Sequence, residues 1–422
     1  MRVQVDQITV IVSINTIPGK RITKNLSAQY FCLRAIWSER LQNFNFTPLK
    51  MPPDVASLRR AVRSFLDTEL AELKAVDKAQ SWAGYSADFS RKLASKGWVG
   101  MTWPKALGGS EASALHRYVV IEELLAAGAP VAAHWIADRQ SGTLLVRYAS
   151  EAVQQRFVPA MARGEMFFCI GMSEPNSGSD LASIKTKAHR VDGGWVINGS
   201  KLWTTNAHRS QIMIALVRTT AQGQARHAGL SQFIIDLSSE GVKINSIADH
   251  LGARHFGEIF FDNVFVSDDM LLGAEGDGWN QVNSELALER SGPERYLSSY
   301  RLFAELLESL DGECDDATTQ TIGEISADLW TLRQMSMSIA GQLAEGSEPS
   351  LEASMVKDLG ACFEQNLPHS VQAGIGASIP SDRDSDLSET LSYLLMASPA
   401  FSLRGGTREI LRGIIARGLG LK

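Results

Sequence analysis

The interpretation of this chain rests on two stretches, MSEPNSGSD at positions 172–180 and NGSKLWTT at positions 198–205. The first continues the short apolar run 167–172, which predicts a strand that enters a loop rich in hydroxyl groups. A glycine-containing loop of this kind exposes backbone amides that can hold a polar ligand, although a Ser- and Asp-rich turn is the plainer interpretation. In the second stretch Trp203 lies among threonines, where either ligand contact or core packing suits an aromatic ring.

The residues around these two stretches are typical of strands joined by tight turns. Positions 183–191 alternate in polarity, Asp192-Gly193-Gly194 is typical of a turn, and Asn198-Gly199 is the strongest short hairpin signal. Further strand-like runs follow at 211–217, 231–236 and 258–266. The turns are too short for helical crossovers, so the sequence predicts an antiparallel β domain at about 166–272.

Helical periodicity precedes and follows this β domain. Apolar residues recur at spacings of three and four within 58–73, 118–125, 322–332 and 410–415. The sequence therefore predicts an α+β chain with an all-α domain at about 52–165, the β domain, and a second helical domain at about 279–422. The Gly-, Ser- and Pro-containing segment 373–389 is predicted to be a loop.

Length and composition exclude several classes of protein. The chain has 422 residues, more than one hydrophobic core usually holds, and a formal net charge of -6, which argues against a general nucleic-acid binder. No apolar run approaches the roughly 18 residues that span a bilayer. Cys32, Cys169, Cys314 and Cys362 lie far apart, which argues against a cysteine-based zinc site or a disulfide framework and predicts a reducing, cytoplasmic location.

The first 50 residues differ in charge from the rest of the chain. They hold seven basic and two acidic residues, a net charge of +5, so the remaining 372 residues carry -11. One interpretation is an upstream extension, with Met51 as the native first residue. The other is a targeting segment, although an amphipathic Arg/Ser helix and a cleavage site are missing. We favour the first interpretation and treat residues 1–51 as an extension outside the native protein.

Common catalytic motifs are missing from the sequence. It contains no GxxxxGK[ST], GxGxxG, HExxH or GxSxG pattern. These absences argue against a P-loop nucleotide site, a Rossmann nicotinamide site, a zinc protease and a serine hydrolase. The pair His250 and His255 lacks any zinc-ligand spacing, so the sequence predicts no metal site.

The two opening stretches resemble the two signatures of the acyl-CoA dehydrogenase family, which read (T/S)EPxxGSD and NGxKxW(I/T)T. The stretch GGTREI at 405–410 resembles the third landmark of this family. The resemblance extends from about Val55 to Leu421 with the domains in the same order. It implies a C-terminal four-helix bundle and a noncovalent FAD held between the β domain and that bundle.

The resemblance also implies roles for individual residues. The positions that match flavin contacts are the Met172 backbone and Ser173 at the pyrimidine edge, Trp203 beside the isoalloxazine, Thr205 near N5, and Thr407 and Glu409 on the bundle side. A glutamine is usual at the position of Glu409. Ser179 matches the serine that touches the CoA portion of the substrate.

The catalytic base departs from the usual pattern of the family. Most members place a glutamate immediately before the Gly-Thr of the third landmark, where this chain has Gly405. Isovaleryl- and long-chain-type members supply the base from another helix in a Glu-Arg sequence, which matches Glu289 and Arg290. The resemblance therefore implies Glu289 as the base, its pKa raised by burial, with Arg290 orienting it or balancing its charge. The alternative is a solvated helix face that Glu285 shares.

The implied reaction is the FAD-dependent α,β-dehydrogenation of an acyl-CoA thioester by a homodimer or homotetramer that passes electrons to an electron-transfer flavoprotein. Two alternatives stay open: an oxygen-using flavin oxidase or monooxygenase of the same fold, and a catalytically silent subunit of a hetero-oligomer. The RxxFG segment has no counterpart after Arg301 and QxxGGxG is degenerate at 372–376, which implies weaker flavin retention or altered oligomer contacts.

The acyl group itself is not fixed by the sequence. Segment 134–140 is expected to line the acyl pocket. Within it, Asp138 and Arg139 are interpreted either as contacts to a polar acyl tail or, as we favour, as a paired helix end.

Overall fold

The computed structural model describes residues 44–220, 226–310, 315–375 and 385–421. Its first part is helical, and the helices are α1 Val55–Glu69, α2 Ala75–Lys78, α3 Ala87–Ser95, α4 Ala114–Ala126, α5 Ala132–Ile136, α6 Gly142–Tyr148 and α7 Glu151–Ala162. Serine hydroxyls begin three of them, because Ser86, Ser113 and Ser150 each accept a hydrogen bond from a backbone N–H in the first turn. A buried π-helical turn, Ala137–Ser141, joins α5 to α6.

Eight strands form the middle of the chain. They are β1 Phe168–Gly171, β2 Lys187–Val191, β3 Gly194–Thr205, β4 Ile212–Arg218, β5 Leu230–Asp236, β6 Val242–Ile247, β7 Phe256–Ser267 and β8 Leu271–Leu272. The sheet order is β6-β7-β3-β2-β4-β5-β8, and β1 pairs with β4 in parallel, Phe168 opposite Ile212. The other pairings are antiparallel except for one parallel bridge between β2 and β4.

The sequence predicts two turns in this region, at Asp192-Gly193-Gly194 and at Asn198-Gly199, and the structure has the first of them. β2 and β3 pair antiparallel on either side of Asp192 and Gly193, where Gly193 has φ 73°. The interpretation of Asn198-Gly199 as a hairpin turn is wrong, since both residues lie inside β3 at a shift in its register with β7. Gly199 has φ 143°, and a Cβ there would lie 2.6 Å from the Thr186 hydroxyl, so the glycine serves close strand packing instead.

The last part of the chain is helical again. It comprises α8 Gly278–Glu289, α9 Tyr300–Glu308, α10 Asp316–Ala344, α11 Ser350–Ile375, α12 Asp386–Ala397 and α13 Arg408–Gly418. Of the segment predicted as a loop at 373–389, residues 373–375 end α11 and residues from 386 begin α12, while 376–384 lie outside the described residues. One apolar core joins both helical parts, because Leu66, Leu124 and Trp135 cluster with Leu302, Leu367 and Leu394.

The described end of the presumed extension packs on this C-terminal part. The backbone N–H of Asn45 donates to Glu352 on α11 (2.8 Å), and that of Thr47 donates to Ser338 on α10 (2.8 Å). Phe46 packs against the buried cluster of Ile339, Ala353 and Val356. Residues 1–43 lie outside the described residues.

The predicted α+β order of helices, β domain and helices is confirmed. No helix among the described residues is long and apolar enough to cross a membrane.

Candidate active site

A buried ion pair joins the two stretches that opened the sequence analysis. Lys201 on β3 is fully buried, and its Nζ donates to Glu174 Oε1 (2.9 Å) and to the Met172 carbonyl (3.0 Å). The Glu174 carboxylate also accepts from the backbone N–H groups of Lys185 (2.6 Å) and Thr186 (2.9 Å). Burial lowers the pKa of Lys201 to about 8, while Lys201 and these N–H groups outweigh burial and hold the pKa of Glu174 below its usual range. The pair therefore fixes the 172–174 backbone onto β3.

The loop at 172–180 is bonded to the sheet at its start and exposed at its end. Leu202 N–H donates to the Ser173 carbonyl (2.9 Å), which ties Ser173 beside Trp203. Met172 packs against a buried cluster of Ile184, Leu216, Leu230 and Val282, and Trp279 of α8 packs against the same cluster. Ser179 is exposed near the far end of the loop.

Trp203 presents its ring to the surface. Its backbone has φ 60°, at the irregular pairing between Lys201 and Thr204, and the residue is 56% exposed. Its only ring partner among the described residues is Phe256, edge-on at 6.0 Å. Phe256 pairs across the sheet with Thr205. Trp203 therefore lies outside the core, which removes the core-packing interpretation.

The loop that carries the family's usual base is bonded to the end of α8. Arg290, directly after Glu289, is buried, and its Nε donates to the Gly405 carbonyl (3.2 Å). Gly405 and Gly406 have φ 63° and 102°, a left-handed backbone that glycine adopts without strain. Thr407 then begins α13, and Glu409 is exposed, its pKa lowered by its own backbone N–H and by Thr407.

The face of α8 that bears Glu285 points into the protein. Glu285 lies one turn before Glu289, is 1% exposed, and accepts a hydrogen bond from Gln140 Nε2 (2.7 Å). Residues four apart share a helix face, so position 289 lies on the same side as this buried carboxylate. The alternative interpretation, a solvated helix face that includes Glu285, is wrong because Glu285 is buried. The structure describes the backbone of Glu289 and not its side chain.

Segment 134–140 takes part in buried contacts that the sequence did not reveal. Asp138 accepts from the Gly100 N–H and from Arg117 (both 2.7 Å), whereas Arg139 donates to Glu294 (3.2 Å). The interpretation of Asp138 and Arg139 as a paired helix end is wrong, because both lie in the buried π-helical turn and bond to different elements. Adjacent helical residues point in different directions, which accounts for the separate partners.

A second group of residues that the sequence analysis missed surrounds Arg404, directly before Gly405. The guanidinium carbon of Arg404 lies 4.1 Å from the Trp82 ring centre and 4.0 Å from that of Phe401. Its Nη1 and the Trp82 indole N–H both donate to Ser298 Oγ (3.3 and 3.1 Å). The only local signal in the sequence was an arginine beside the glycine that replaces the usual base.

The two halves of the site lie close together. The charge of Arg404 contributes to lowering the pKa of His255, which burial lowers first, and the His255 carbonyl accepts from the N–H of Asn206, next to Thr205. His255 is thus bonded to the residue after Thr205 and lies within electrostatic range of Arg404.

These residues suit a flat ring system that carries phosphates. An exposed indole on a left-handed backbone costs free energy, and a ligand ring that covers the indole offsets part of that cost. Thr407 begins α13 without a side-chain capping hydrogen bond, which leaves first-turn N–H groups for an anion. A flavin dinucleotide has both features.

The comparisons with known proteins agree with this arrangement. The family model for "Acyl-CoA dehydrogenase, N-terminal domain" matches residues 52–165, and that for the "middle domain" matches 169–264. The chain is 33% identical over 380 residues to the acyl-CoA dehydrogenase IpdE1 of Mycobacterium tuberculosis, covering 87% of this chain and 98% of that protein.

Two solved structures share the fold. One is described as the Tcur3481-Tcur3483 steroid ACAD, with a TM-score of 0.79 and 23% identity over 89% of this chain and all of the other. The second is the ChsE4-ChsE5 complex from Mycobacterium tuberculosis, with a TM-score of 0.77 and 24% identity over 89% of this chain and 99% of the other.

The order of a helical domain, a β domain and a second helical domain, together with the two signature stretches, defines a class of FAD-dependent oxidoreductases. This chain belongs to the acyl-CoA dehydrogenase family. The predictions of the family, of an oxidoreductase of this class and of FAD as its cofactor are confirmed.

Proposed function

We propose that the chain catalyses the α,β-dehydrogenation of an acyl-CoA thioester with Glu289 as the base. The observation that carries this proposal is the hydrogen bond from Arg290 Nε to the Gly405 carbonyl (3.2 Å). It joins the residue after Glu289 to the backbone position that bears the base in most relatives. A carboxylate offered from the end of α8 is therefore close to the place where one offered from position 405 would act.

The surroundings of α8 favour a base of useful strength. Its inward face carries Glu285, which is buried and bonded to Gln140, so a carboxylate on that face is shielded from water. Desolvation disfavours the charged form of a carboxylate and raises its pKa toward neutrality, where proton abstraction is most effective. Arg290 orients the end of the helix through its bond to Gly405.

The β-domain residues hold and orient the cofactor in this proposal. FAD, when bound, supplies the acceptor for the hydride that leaves the β-carbon. The Met172 backbone and Ser173, fixed by Lys201, border its pyrimidine edge, while Trp203 covers the ring and Thr205 bonds near N5. Thr407 and Glu409 contact it from α13, and the exposed Ser179 meets the CoA portion at the mouth of the cleft.

The finer features of the function belong to the same proposal. The electron acceptor is an electron-transfer flavoprotein, the assembly a homodimer or homotetramer, and the location cytoplasmic. The proposed domains are 52–165, 166–272 and 279–422, with 1–51 as an extension. Limited proteolysis tests these boundaries.

A second candidate is a subunit of a hetero-oligomer that carries no chemistry of its own. The two structures named above are each described with two differently named chains. Gly405 in place of the base, and the degenerate QxxGGxG segment at 372–376, are consistent with a subunit that has given up part of its site.

The experiment is an anaerobic titration of the purified, FAD-reconstituted chain with a panel of acyl-CoAs, including straight-chain, branched and steroid side-chain thioesters. Bleaching of the flavin absorbance, followed by recovery with electron-transfer flavoprotein, supports the proposal. Rapid recovery in air alone indicates the oxidase alternative instead. A colourless chain that holds FAD only when it is coexpressed with a second family member supports the silent-subunit candidate.

A further inference from the structure

Arg404 has the form of an anion-binding side chain rather than of a partner in an ion pair. Its guanidinium carbon lies about the same distance from two aromatic rings, Trp82 at 4.1 Å and Phe401 at 4.0 Å. A guanidinium is planar, and rings on its faces leave its edge, with the N–H donors, for directional hydrogen bonds. The rings therefore hold the plane in place while the edge stays available.

The described residues satisfy only part of that edge. Nη1 donates to Ser298 Oγ (3.3 Å), and none of the carboxylates that the structure describes lies within 4.0 Å of the Arg404 nitrogens. The nearest acidic influence is Glu364, which already accepts from the Ser298 N–H (2.7 Å) and whose pKa is raised by burial. Arg404 itself keeps a half-buried side chain, so the edge is reachable.

The surroundings of Arg404 hold charges of both signs. Burial lowers the pKa of Arg404 to about 9; Glu364 and Tyr393 raise it, and Arg295 and Arg139 lower it. None of the described carboxylates bonds to the guanidinium directly, so an anion at its open edge gains a charge-assisted hydrogen bond.

The position of this group selects the kind of anion. Arg404 directly precedes Gly405, whose carbonyl accepts from Arg290, so the backbone that carries Arg404 lies at the loop beside the base of the proposed function. We infer that Arg404 binds a carboxylate carried by the acyl group, so that the substrate is an acyl-CoA with a second, anionic carboxyl group. The inference rests on the proposed function, and it adds the substrate class.

The test compares two probes of equal chain length, adipyl-CoA with a free terminal carboxylate and hexanoyl-CoA without one, by calorimetric binding to the FAD-reconstituted chain. A charge-assisted hydrogen-bond pair is worth about 10- to 100-fold in affinity, so adipyl-CoA should bind tighter by that factor. Arg404→Gln should remove the preference, so that the two probes bind with equal affinity. Arg412→Gln, an exposed arginine paired with Asp358, is the matched control and should keep the preference.

Arg404→Lys keeps the charge without the planar fork and should retain only part of the preference, which covers the case in which Arg404→Gln does not fold. Equal binding of the two probes to the parental chain overturns the inference, as does a full preference in either Arg404 variant. Flavin bleaching by hexanoyl-CoA that is as good as with adipyl-CoA overturns the inference while the proposed function stands. If neither probe binds, the result counts against both the inference and the proposed function.

Discussion

The two sides of the cleft are built in different ways. On the β-domain side, Lys201, Glu174 and Met172 meet within 29 positions of one another, and every bond there closes a short loop. On the bundle side, the bonds join residues far apart in the chain: Arg290 to Gly405 over 115 positions, Gln140 to Glu285 over 145, and Trp82 to Ser298 over 216. The first side is a local device that a motif can encode. The second exists only once both helical parts have packed together.

The partners of the charged side chains also differ between the two sides. Lys201 has a carboxylate at 2.9 Å, whereas Arg404 has two aromatic rings and a hydroxyl. The charge of Lys201 on the β-domain side is thus compensated directly, whereas Arg404 on the bundle side has no described carboxylate bonded to it. We therefore expect changes on the first side to alter stability and flavin retention, and changes on the second to alter rate and specificity.

The largest expected effect is on the bundle side, in Glu289→Gln. The variant nearly preserves volume and hydrogen bonding but removes the base, and general-base catalysis contributes roughly 10²–10⁴-fold. Stopped-flow flavin reduction by a good acyl-CoA should slow by that factor while the affinity for the thioester persists. Glu345→Gln, at an exposed position directly after α10, is the control and should reduce its flavin at the parental rate. A Glu289→Gln chain that also does so would show that the chemistry lies elsewhere.

A rescue variant sharpens this result. Gly405→Glu on the Glu289→Gln background places a carboxylate where most relatives have theirs, and it should restore part of the lost rate. The gain is limited because Gly405 has φ 63°, a conformation that costs other residues about 1–2 kcal/mol. No recovery in a variant that folds and holds FAD would argue that the two positions do not address the same carbon atom.

On the β-domain side, Lys201→Met should be strongly destabilising. It leaves the buried Glu174 carboxylate with backbone partners only, and breaking one side of a buried pair costs about 3–5 kcal/mol. Urea denaturation measures the loss. The double variant Lys201→Met/Glu174→Gln removes both charges and should recover much of it. Equal instability of the single and double variants would mean that the pair contributes little beyond packing.

Lys201 also makes the stability difference between the parental chain and Lys201→Met depend on pH. Burial lowers the pKa of Lys201 to about 8 from 10.5, so between these values the unfolded chain binds a proton that the folded chain does not. The contribution of Lys201 to the free energy of unfolding therefore rises with pH, by about 1 kcal/mol between pH 8 and pH 9. The stability difference between the parental chain and Lys201→Met should widen over this range. A stability difference that stays constant or narrows over this range would contradict a lowered pKa for Lys201.

The same contrast explains what the sequence could predict. The order of helices, β domain and helices followed from periodicity. The two stretches that meet through Lys201 and Glu174, 27 positions apart, were recognised as motifs, but the contact between them was not predicted. Arg404 could not be interpreted, because its partners Trp82 and Ser298 are brought to it only by tertiary packing. Asn198-Gly199 failed for a different reason: a strong local turn signal was overridden by the close approach of β3 to Thr186.

A smaller effect is expected for Trp203→Ala on the cofactor side. In the proposed function the exposed indole covers the flavin ring, and an aromatic contact of this kind is worth about 0.5–1.5 kcal/mol. The dissociation constant for FAD, measured after exhaustive dialysis, should therefore rise about 3- to 10-fold. Trp330→Ala, an equally exposed tryptophan on α10, is the matched control and should retain FAD normally. Unchanged FAD content in Trp203→Ala would remove this residue from the flavin site.

The smallest effect concerns the segment before Met51, where long-range assembly extends to the end of the described chain. Asn45 and Thr47 bond to Glu352 and Ser338, about 300 positions away, and Phe46 is half-buried against the α10–α11 cluster. Phe46→Ala should lower the free energy of unfolding by about 1 kcal/mol, since only part of its ring leaves water on folding. Phe44→Ala, in the same segment but 48% exposed, should cost less than half of that. If Phe46→Ala is as stable as the parental chain, the segment does not support the bundle, and the interpretation of Met51 as the native first residue is strengthened. A measurable loss confined to Phe46 would instead make residues 45–49 part of the folded protein.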